Sequence, residues 1–298
     1  MRFSAGFFYR LAAAALRERS QSCGAWARDG RERLRPEAEA IWGKPTIGAR
    51  RVEMIVRTFK AAGDAPVFRT IASREIVSGR DNVGHSLFDT AFPAGVDDTL
   101  RDGACDPFGA QAHFCLSGEG TVCVDGRCWP FVANTLVAAP ADASVRVAAD
   151  TDMRLCSIFA GDPREVTAGP VVRSVDEIEG TARDVFWGNG QSRRLLVRAD
   201  GYGFALCQTL GNADTDSPLQ YRHHFESCYY IEGSGEYVWH QGRHPIDTNG
   251  AGGTVFIMNR NDAHRMVVRD PSICLSIFTP PIEGTESHDF TGSAPSSY

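Results

Sequence analysis

The feature that most constrains this chain is that it repeats itself at a period of about 120 residues, roughly the size of one small domain. Val56-Arg57 returns as Val172-Arg173 and Ser73-Arg74 as Ser192-Arg193. Thr90 follows Ser73, and Thr209 follows Ser192, at the same separation of 17 residues. Leu116-Ser-Gly-Glu-Gly120 matches Ile231-Glu-Gly-Ser-Gly235, Asn134-Thr-Leu-Val137 matches Gly253-Thr-Val-Phe256, and Ser157-Ile-Phe159 matches Ser276-Ile-Phe278. So many matches in one order indicate duplication. A chain of 298 residues also exceeds what one core usually holds. The repeat divides it into a unit at 54–165 and a second at 171–298, joined where Gly161-Asp-Pro163 and Gly169-Pro170 interrupt regular structure.

Within each unit, short apolar segments such as Gly203-Phe-Ala-Leu-Cys207, Cys228-Tyr-Tyr-Ile231 and Ile273-Cys-Leu-Ser-Ile-Phe278 alternate with Gly, Asp, Asn and Pro. Long helical periods are absent, so the pattern predicts an all-β barrel or sandwich in both halves. The Gly-Glu-Gly and Gly-Ser-Gly stretches read as tight turns where a strand reverses. Residues 1–53 stand outside the repeat as an N-terminal helical or disordered extension, rich in Arg and Ala with a net charge of about +5. Phe7–Arg19 could form a short amphipathic helix, and Arg10 interrupts its apolar run, which argues against a signal peptide.

A hydrophobic share of 43% and a charged share of 23% indicate a folded globular protein. The net charge of −6 and the pI near 5.8 point away from nucleic acid and towards a small molecule. No apolar stretch is long enough to predict a membrane span. The nine cysteines lack a CxxC pair, and several lie in apolar runs, so they read as free thiols of a reducing, cytoplasmic protein.

The residues richest in chemistry are Tyr221-Arg-His-His-Phe-Glu226 and, about 40 residues on, Asn261-Asp-Ala-His264. In a strand, alternate side chains share a face, so Arg222, His224 and Glu226 would point together into a barrel. His and Glu converging there suit a first-row metal ion. The same spacing also suits polar residues along an exposed strand edge.

In order along the chain come Arg173, Gly180-Thr181, Ser192-Arg-Arg-Leu-Leu196, Gly203-Phe204, Thr209, Tyr221-Arg-His-His-Phe-Glu226, Tyr230-Ile-Glu-Gly233, His244-Pro245, Gly253-Thr254, Asp262, His264, Phe278-Thr-Pro-Pro281 and Glu286-Ser-His288. With these residues the segment 171–290 resembles ectoine synthase, a cupin. The resemblance implies two tandem cupin, jelly-roll-like β-barrels. It also implies a cytoplasmic hydro-lyase of compatible-solute synthesis under osmotic stress, closing N-γ-acetyl-L-2,4-diaminobutyrate to ectoine with loss of water. Fe(II) is the implied cofactor, held by Glu226 and His264, with Phe256 standing where a Tyr ligand is expected. Tyr221, His224, Glu286 and His288 would be catalytic, and Ser192, Arg194, Thr209 and Phe278 would hold the substrate. Such a protein would be a monomeric bicupin or a homodimer.

Three positions depart from the family pattern. Phe256 lacks the phenol oxygen, Gly190 stands where an aromatic is frequent, and Ser276 where Cys is frequent. Either His223 is recruited to the metal, or the site is weakened, or the substrate differs. Two further functions therefore stay open: a non-catalytic bicupin binding ectoine or a related zwitterion, and a lyase or hydrolase acting on another N-acylated amino acid. In the first repeat Gly109, Gln111, Val137 and Val145 replace His224, Glu226, Phe256 and His264. That unit cannot build this metal site and reads as a scaffold, with His113 structural.

Overall fold

The computed structural model describes residues 54–239, 242–248, 253–292 and 294–297. The extension at 1–53, with the helix expected at Phe7–Arg19, lies outside the described residues. The first repeat forms β1 (Ile55–Thr58), β2 (Gly63–Ala65), β3 (Ser73–Val77), β4 (His85–Phe92), β5 (Asp97–Thr99), β6 (Ala110–Ser117), β7 (Glu119–Val124), β8 (Arg127–Val132), β9 (Thr135–Pro140), β10 (Val145–Ala149) and β11 (Met153–Ala160). The second forms β12 (Val171–Ser174), a single turn of helix α1 (Val175–Ile178), β13 (Asp184–Phe186), β14 (Gln191–Leu196), β15 (Ala205–Gly211), β16 (Thr215–Leu219), β17 (Phe225–Trp239), β18 (Gly242–Ile246), β19 (Thr254–Met258) and β20 (His264–Thr279). The plans correspond once β6 with β7 is set against β17, and β10 with β11 against β20.

That correspondence corrects one expectation. The Ser-Gly-Glu-Gly and Glu-Gly-Ser-Gly stretches do not reverse the chain. In the second repeat β17 runs straight through Ile231–Gly235 against β20, with register shifts between Tyr230 and Gly235. Gly is demanded there by close approach: a Cβ on Gly233, whose φ is +96°, would lie 2.5 Å from the Ser272 Cα. The strand bends between the two walls of its barrel instead of turning back.

Strand order shows an exchange. The seven-stranded sheet runs β12-β9-β6-β11-β4-β3-β2, beside a four-stranded sheet β5-β10-β7-β8. The second barrel is a nine-stranded sheet along β1-β19-β17-β20-β15-β14-β13, with β16 and β18 attached. The first strand of each repeat therefore pairs in the other barrel, with Ile55 opposite Ile257 and Val171 opposite Ala138. Each exchanged strand carries an arginine anchored in its own repeat. Arg57 pairs with Asp81 and donates to the Ile76 carbonyl, and Arg173 pairs with Asp200 and donates to the Leu195 carbonyl.

The central strands are buried on both faces, which is why they read as continuous apolar runs. Odd-numbered Tyr229, Val255, Ile257, Leu275 and Ile277 pack with Leu87, Ala112, Phe114 and Ile158 in a core between the two barrels. Fully burying each such side chain is worth about 1.5–3 kcal/mol, which joins the barrels into one body. Polar groups tie the same interface. Arg154 pairs with Asp89, which accepts a hydrogen bond from the Tyr229 hydroxyl at 2.8 Å, and His85 Nε2 lies 2.6 Å from Ser227 Oγ.

Not all the thiols are free. Cys123 and Cys128 face each other across the β7–β8 hairpin and form a disulfide. The cause is local: Asp125 and Gly126 both take positive φ, the two-residue turn that brings its flanking residues directly opposite. Cys105, Cys115, Cys156, Cys207, Cys228 and Cys274 are free and buried, and Cys23 lies outside the described residues. Among the described residues no helix is long and apolar enough to cross a membrane.

Candidate functional site

Alternation in the second barrel sends one set of side chains to the interface and the other inward. The inward set lines a narrow cavity of about 30 Å³, room for a water or two as the side chains stand. Ser192 and Arg194 come from β14, Thr209 from β15, Glu226 from β17 and Phe278 from β20; Tyr221 and His288 lie on loops at its mouth. All seven were expected from the sequence, and the barrel brings them together.

Arg194 is 1% exposed, and its guanidinium donates to the Glu286 carbonyl at 2.8 Å and meets Cys207 Sγ at 3.5 Å. Glu226 is buried, and burial together with the neighbouring Cys228, whose thiol donates to Oε1 at 3.1 Å, pushes its carboxyl far above the ordinary range. Ser276 and Arg194 oppose that shift without cancelling it. Tyr221 Oη and His288 Nε2 lie 3.2 Å apart, with His288 Nδ1 3.0 Å from Ser296 Oγ. Burial, with His264 and Arg194 nearby, lowers His288 to about 3, so this imidazole is neutral at pH 7. Thr209 Oγ1 sits 3.1 Å from Ser276 Oγ and 3.4 Å from Ser192 Oγ.

Five expected residues are placed otherwise. Strand β17 begins at Phe225, so Tyr221–His224 is a bend and the alternation inferred for Arg222, His224 and Glu226 does not hold. Arg222 and His223 are exposed, so His223 is not recruited to the barrel, and His224 is only partly buried, with Nδ1 donating to the Pro280 carbonyl at 2.8 Å. The Glu286 carboxylate accepts from the Glu283 and Gly284 backbone N–H groups, capping its own loop, while its carbonyl holds Arg194. Against burial, which raises it, those N–H groups keep that carboxyl below its ordinary value. Phe256 is buried in the barrel wall behind Tyr237.

His264 is fully buried, and its chemistry is set by one bond. Nδ1 lies 2.9 Å from the Asp262 carbonyl, which can only accept, so Nδ1 carries the proton and Nε2 a bare lone pair. Nε2 is buried with no hydrogen-bond partner. Burial lowers this histidine to about 4 and keeps it neutral. A buried neutral imidazole oriented through its other nitrogen has the form of a metal ligand. Among the described residues no three His, Cys, Asp or Glu side chains group as a ligand set.

The cavity also holds residues that the sequence reading missed: Trp187, Cys228, Tyr230, Tyr237 and Cys274. They account for two of the departures. A Cβ at Gly190 would lie 2.0 Å from the Leu210 carbonyl oxygen and 3.1 Å from Trp187 Nε1, so backbone and indole together fill the space beside that glycine. Cys228 and Cys274 place sulfur 3.4 and 3.7 Å from Ser276 Oγ. Tyr237 escaped because the register shifts in β17 invert its alternation, turning an odd-numbered residue inward beside even-numbered Glu226.

Two jelly-roll barrels in tandem, one with a cavity lined by polar and apolar inward residues, define a bicupin. Solved structures agree on the fold: protein Ylba from E. coli superposes with a TM-score of 0.60 over 78% of this chain and 96% of its own, and oxalate decarboxylase from Bacillus subtilis with 0.57 over 89% and 86%, each at 11% identity. Residues 170–297 match the family model for ectoine synthase. L-ectoine synthase of Mycolicibacterium gilvum is 37% identical over 127 residues, 42% of this chain and 95% of that protein, and that of Thermobifida fusca 36% over 126 residues, 42% and 92%. The chain belongs to the ectoine synthase family.

Proposed function

We propose that the second barrel is the catalytic unit and closes N-γ-acetyl-L-2,4-diaminobutyrate to ectoine, a carbon–oxygen hydro-lyase reaction. One observation carries the reading: Arg194, Glu226, Tyr221 and His288 converge on a single cavity inside the segment that matches the family. The α-amine nitrogen bonds to the acetyl carbonyl carbon, and the carbonyl oxygen leaves as water with two nitrogen-bound protons.

The buried Arg194 guanidinium, oriented by the Glu286 carbonyl, takes the substrate carboxylate. Phe278 and Trp187 wall the cavity and hold the flexible chain folded, which removes much of the entropic barrier to ring closure. The Tyr221–His288 pair passes a proton from the attacking amine to the departing oxygen, the imidazole holding it only in transit. Ser192 and Thr209 offer hydroxyls to the acetamide. His224 and Glu286 act through position, His224 by fixing Pro280 beside Phe278.

The unpartnered Nε2 of His264 and the buried carboxyl of Glu226 fit a divalent cation, Fe(II) by family resemblance. When bound, such an ion supplies Lewis-acid polarisation of the carbonyl. The same reading places the protein in the cytoplasm, in compatible-solute synthesis under osmotic stress. It acts there as a monomer whose first barrel replaces a second subunit, or as a homodimer of such chains. The units are 54–165, a scaffold without metal ligands, and 171–298.

Purified protein given substrate and Fe(II) anaerobically should form ectoine at least about a hundredfold faster than Glu226→Ala. Product no higher than that of the variant sinks the reading. Phe256 favours one alternative, binding of ectoine without turnover, which calorimetry would reveal as saturable heat with no product.

A further inference from the structure

We propose that the hydroxyl of Tyr237 supplies the oxygen donor that Phe256 lacks, completing with Glu226 and His264 a three-residue cation site in the second barrel. This rests on the reading of Glu226 and His264 as cation ligands and adds a residue from a different strand. Phe256, on β19, is fully buried and has no polar atom. The Tyr237 ring lies on it almost parallel, with centroids 4.0 Å apart and planes 9° from each other. The same ring also stacks on His264, at 5.2 Å and 13°. A phenol thus occupies the slot next to the missing one, in a ring stack that includes the imidazole.

The register shifts of β17 are what place it there, since an uninterrupted alternation from Glu226 would send residue 237 to the opposite face. Tyr237 is 1% exposed and lines the cavity together with Glu226. Its hydroxyl meets the Tyr230 hydroxyl at 3.4 Å, beyond the usual range for an O–H···O bond, and the weakly polar Cys228 thiol. A buried phenol so thinly satisfied is unusual. Its ring stacks on an imidazole whose Nε2 has no partner, and it shares the cavity lining with a carboxyl held by the Cys228 thiol and the Ser276 hydroxyl. Carboxylate, imidazole and phenol oxygen together form a donor set suited to a first-row divalent ion.

The test is anaerobic titration of full-length protein with Fe(II), followed by calorimetry and metal analysis. It compares wild type, Tyr237→Phe, the double variant Tyr237→Phe with Phe256→Tyr, and Glu226→Gln. Tyr237→Phe keeps the stacked ring, and an unchanged Tm checks its fold. Wild type should bind a single ion, Tyr237→Phe should bind about tenfold more weakly or worse, and the double variant should recover. After oxidation in air, wild type and double variant should show the visible charge-transfer band of a phenol oxygen on Fe(III), and Tyr237→Phe should lack it. Unchanged affinity and an intact band in Tyr237→Phe would overturn the role of Tyr237 alone. No ion bound by wild type, or no loss in Glu226→Gln, would overturn the cation reading with it.

Discussion

At the register position where the second barrel carries Glu226, opposite Phe278, the first carries Gln111, opposite Phe159; where the second has Cys228, the first has His113. The first barrel satisfies these groups internally. The Gln111 amide donates to the Pro140 and Ala143 carbonyls at 2.9 Å and accepts from His113 Nε2 at 3.0 Å, while His113 Nδ1 lies 2.9 Å from Ser157 Oγ. Phe68, Phe92, Phe131 and Phe159 fill the remaining space. The second barrel leaves its equivalent carboxyl with the Cys228 thiol and the Ser276 hydroxyl, and the Nε2 of His264 with no partner. One strand plan thus supports a core whose polar atoms are closed on each other and a barrel in which a buried imidazole nitrogen has no partner. The difference lies in hydrogen-bond satisfaction, because both interiors are polar at this layer.

The sharpest way to break this comparison is to exchange the two side chains. Gln111→Glu should destabilise the protein by about 3–5 kcal/mol in urea denaturation at pH 7, because it buries an uncompensated charge and loses two amide donors. Glu226→Gln should leave stability unchanged or raise it; a comparable loss there would mean that the second site is as closed as the first. The next effect concerns Arg194, whose repeat counterpart is Glu75. Arg194→Lys should lower kcat/KM by about 10²-fold, since an ammonium cannot reproduce the fork. Glu75→Gln should leave the rate alone, and a matching loss would show that the first barrel is not a silent scaffold.

A smaller effect is read by pH, because the first barrel, like the second with His264 and His288, keeps buried histidines neutral. Burial lowers His85 from 6.5 to about 3 and His113 to about 4, with Asp81 partly opposing the shift at His85. Between those values and 6.5 the unfolded chain binds protons that the folded chain does not. Stability should therefore fall as pH drops through that window, by up to about 1.4 kcal/mol per pH unit for each histidine. His113→Gln should flatten this acid limb in urea titrations from pH 7 to 4, and an unchanged slope would remove His113 as its source. The smallest effect compares the hydroxyl pairs. Ser73 and Thr90 are 2.6 Å apart, against 3.4 Å for Ser192 and Thr209. Ser73→Ala should cost about 1 kcal/mol of stability, whereas Ser192→Ala should cost less and raise KM instead.

The sequence carried the duplication, the all-β class and the inward residues of regular strands, because period-two alternation and paired motifs survive in one dimension. It could not carry Tyr237, because parity is lost wherever a strand shifts register, and no local residue pattern counts those shifts. Alternation failed at His224 for a related reason: the segment before Phe225 is a bend, so periodicity was extended past the end of its strand. Glu286 was named for its carboxylate, yet its backbone carbonyl meets the guanidinium, a contact that side-chain reasoning does not see. The Cys123–Cys128 bridge was readable from the Asp125-Gly126 turn between the two cysteines, a signal that counting CxxC pairs passes over.

The exchange of β1 and β12 has a consequence for dissecting the molecule. A fragment starting at Val171 would expose the β19 edge that Ile55–Thr58 covers here, and would carry Val171–Ser174 with no edge to join. Two such fragments can satisfy one another by trading those strands. Cutting the gene in half should therefore yield a symmetric pair of identical pieces in place of a lone barrel, with the chain's internal partnership rebuilt between separate molecules.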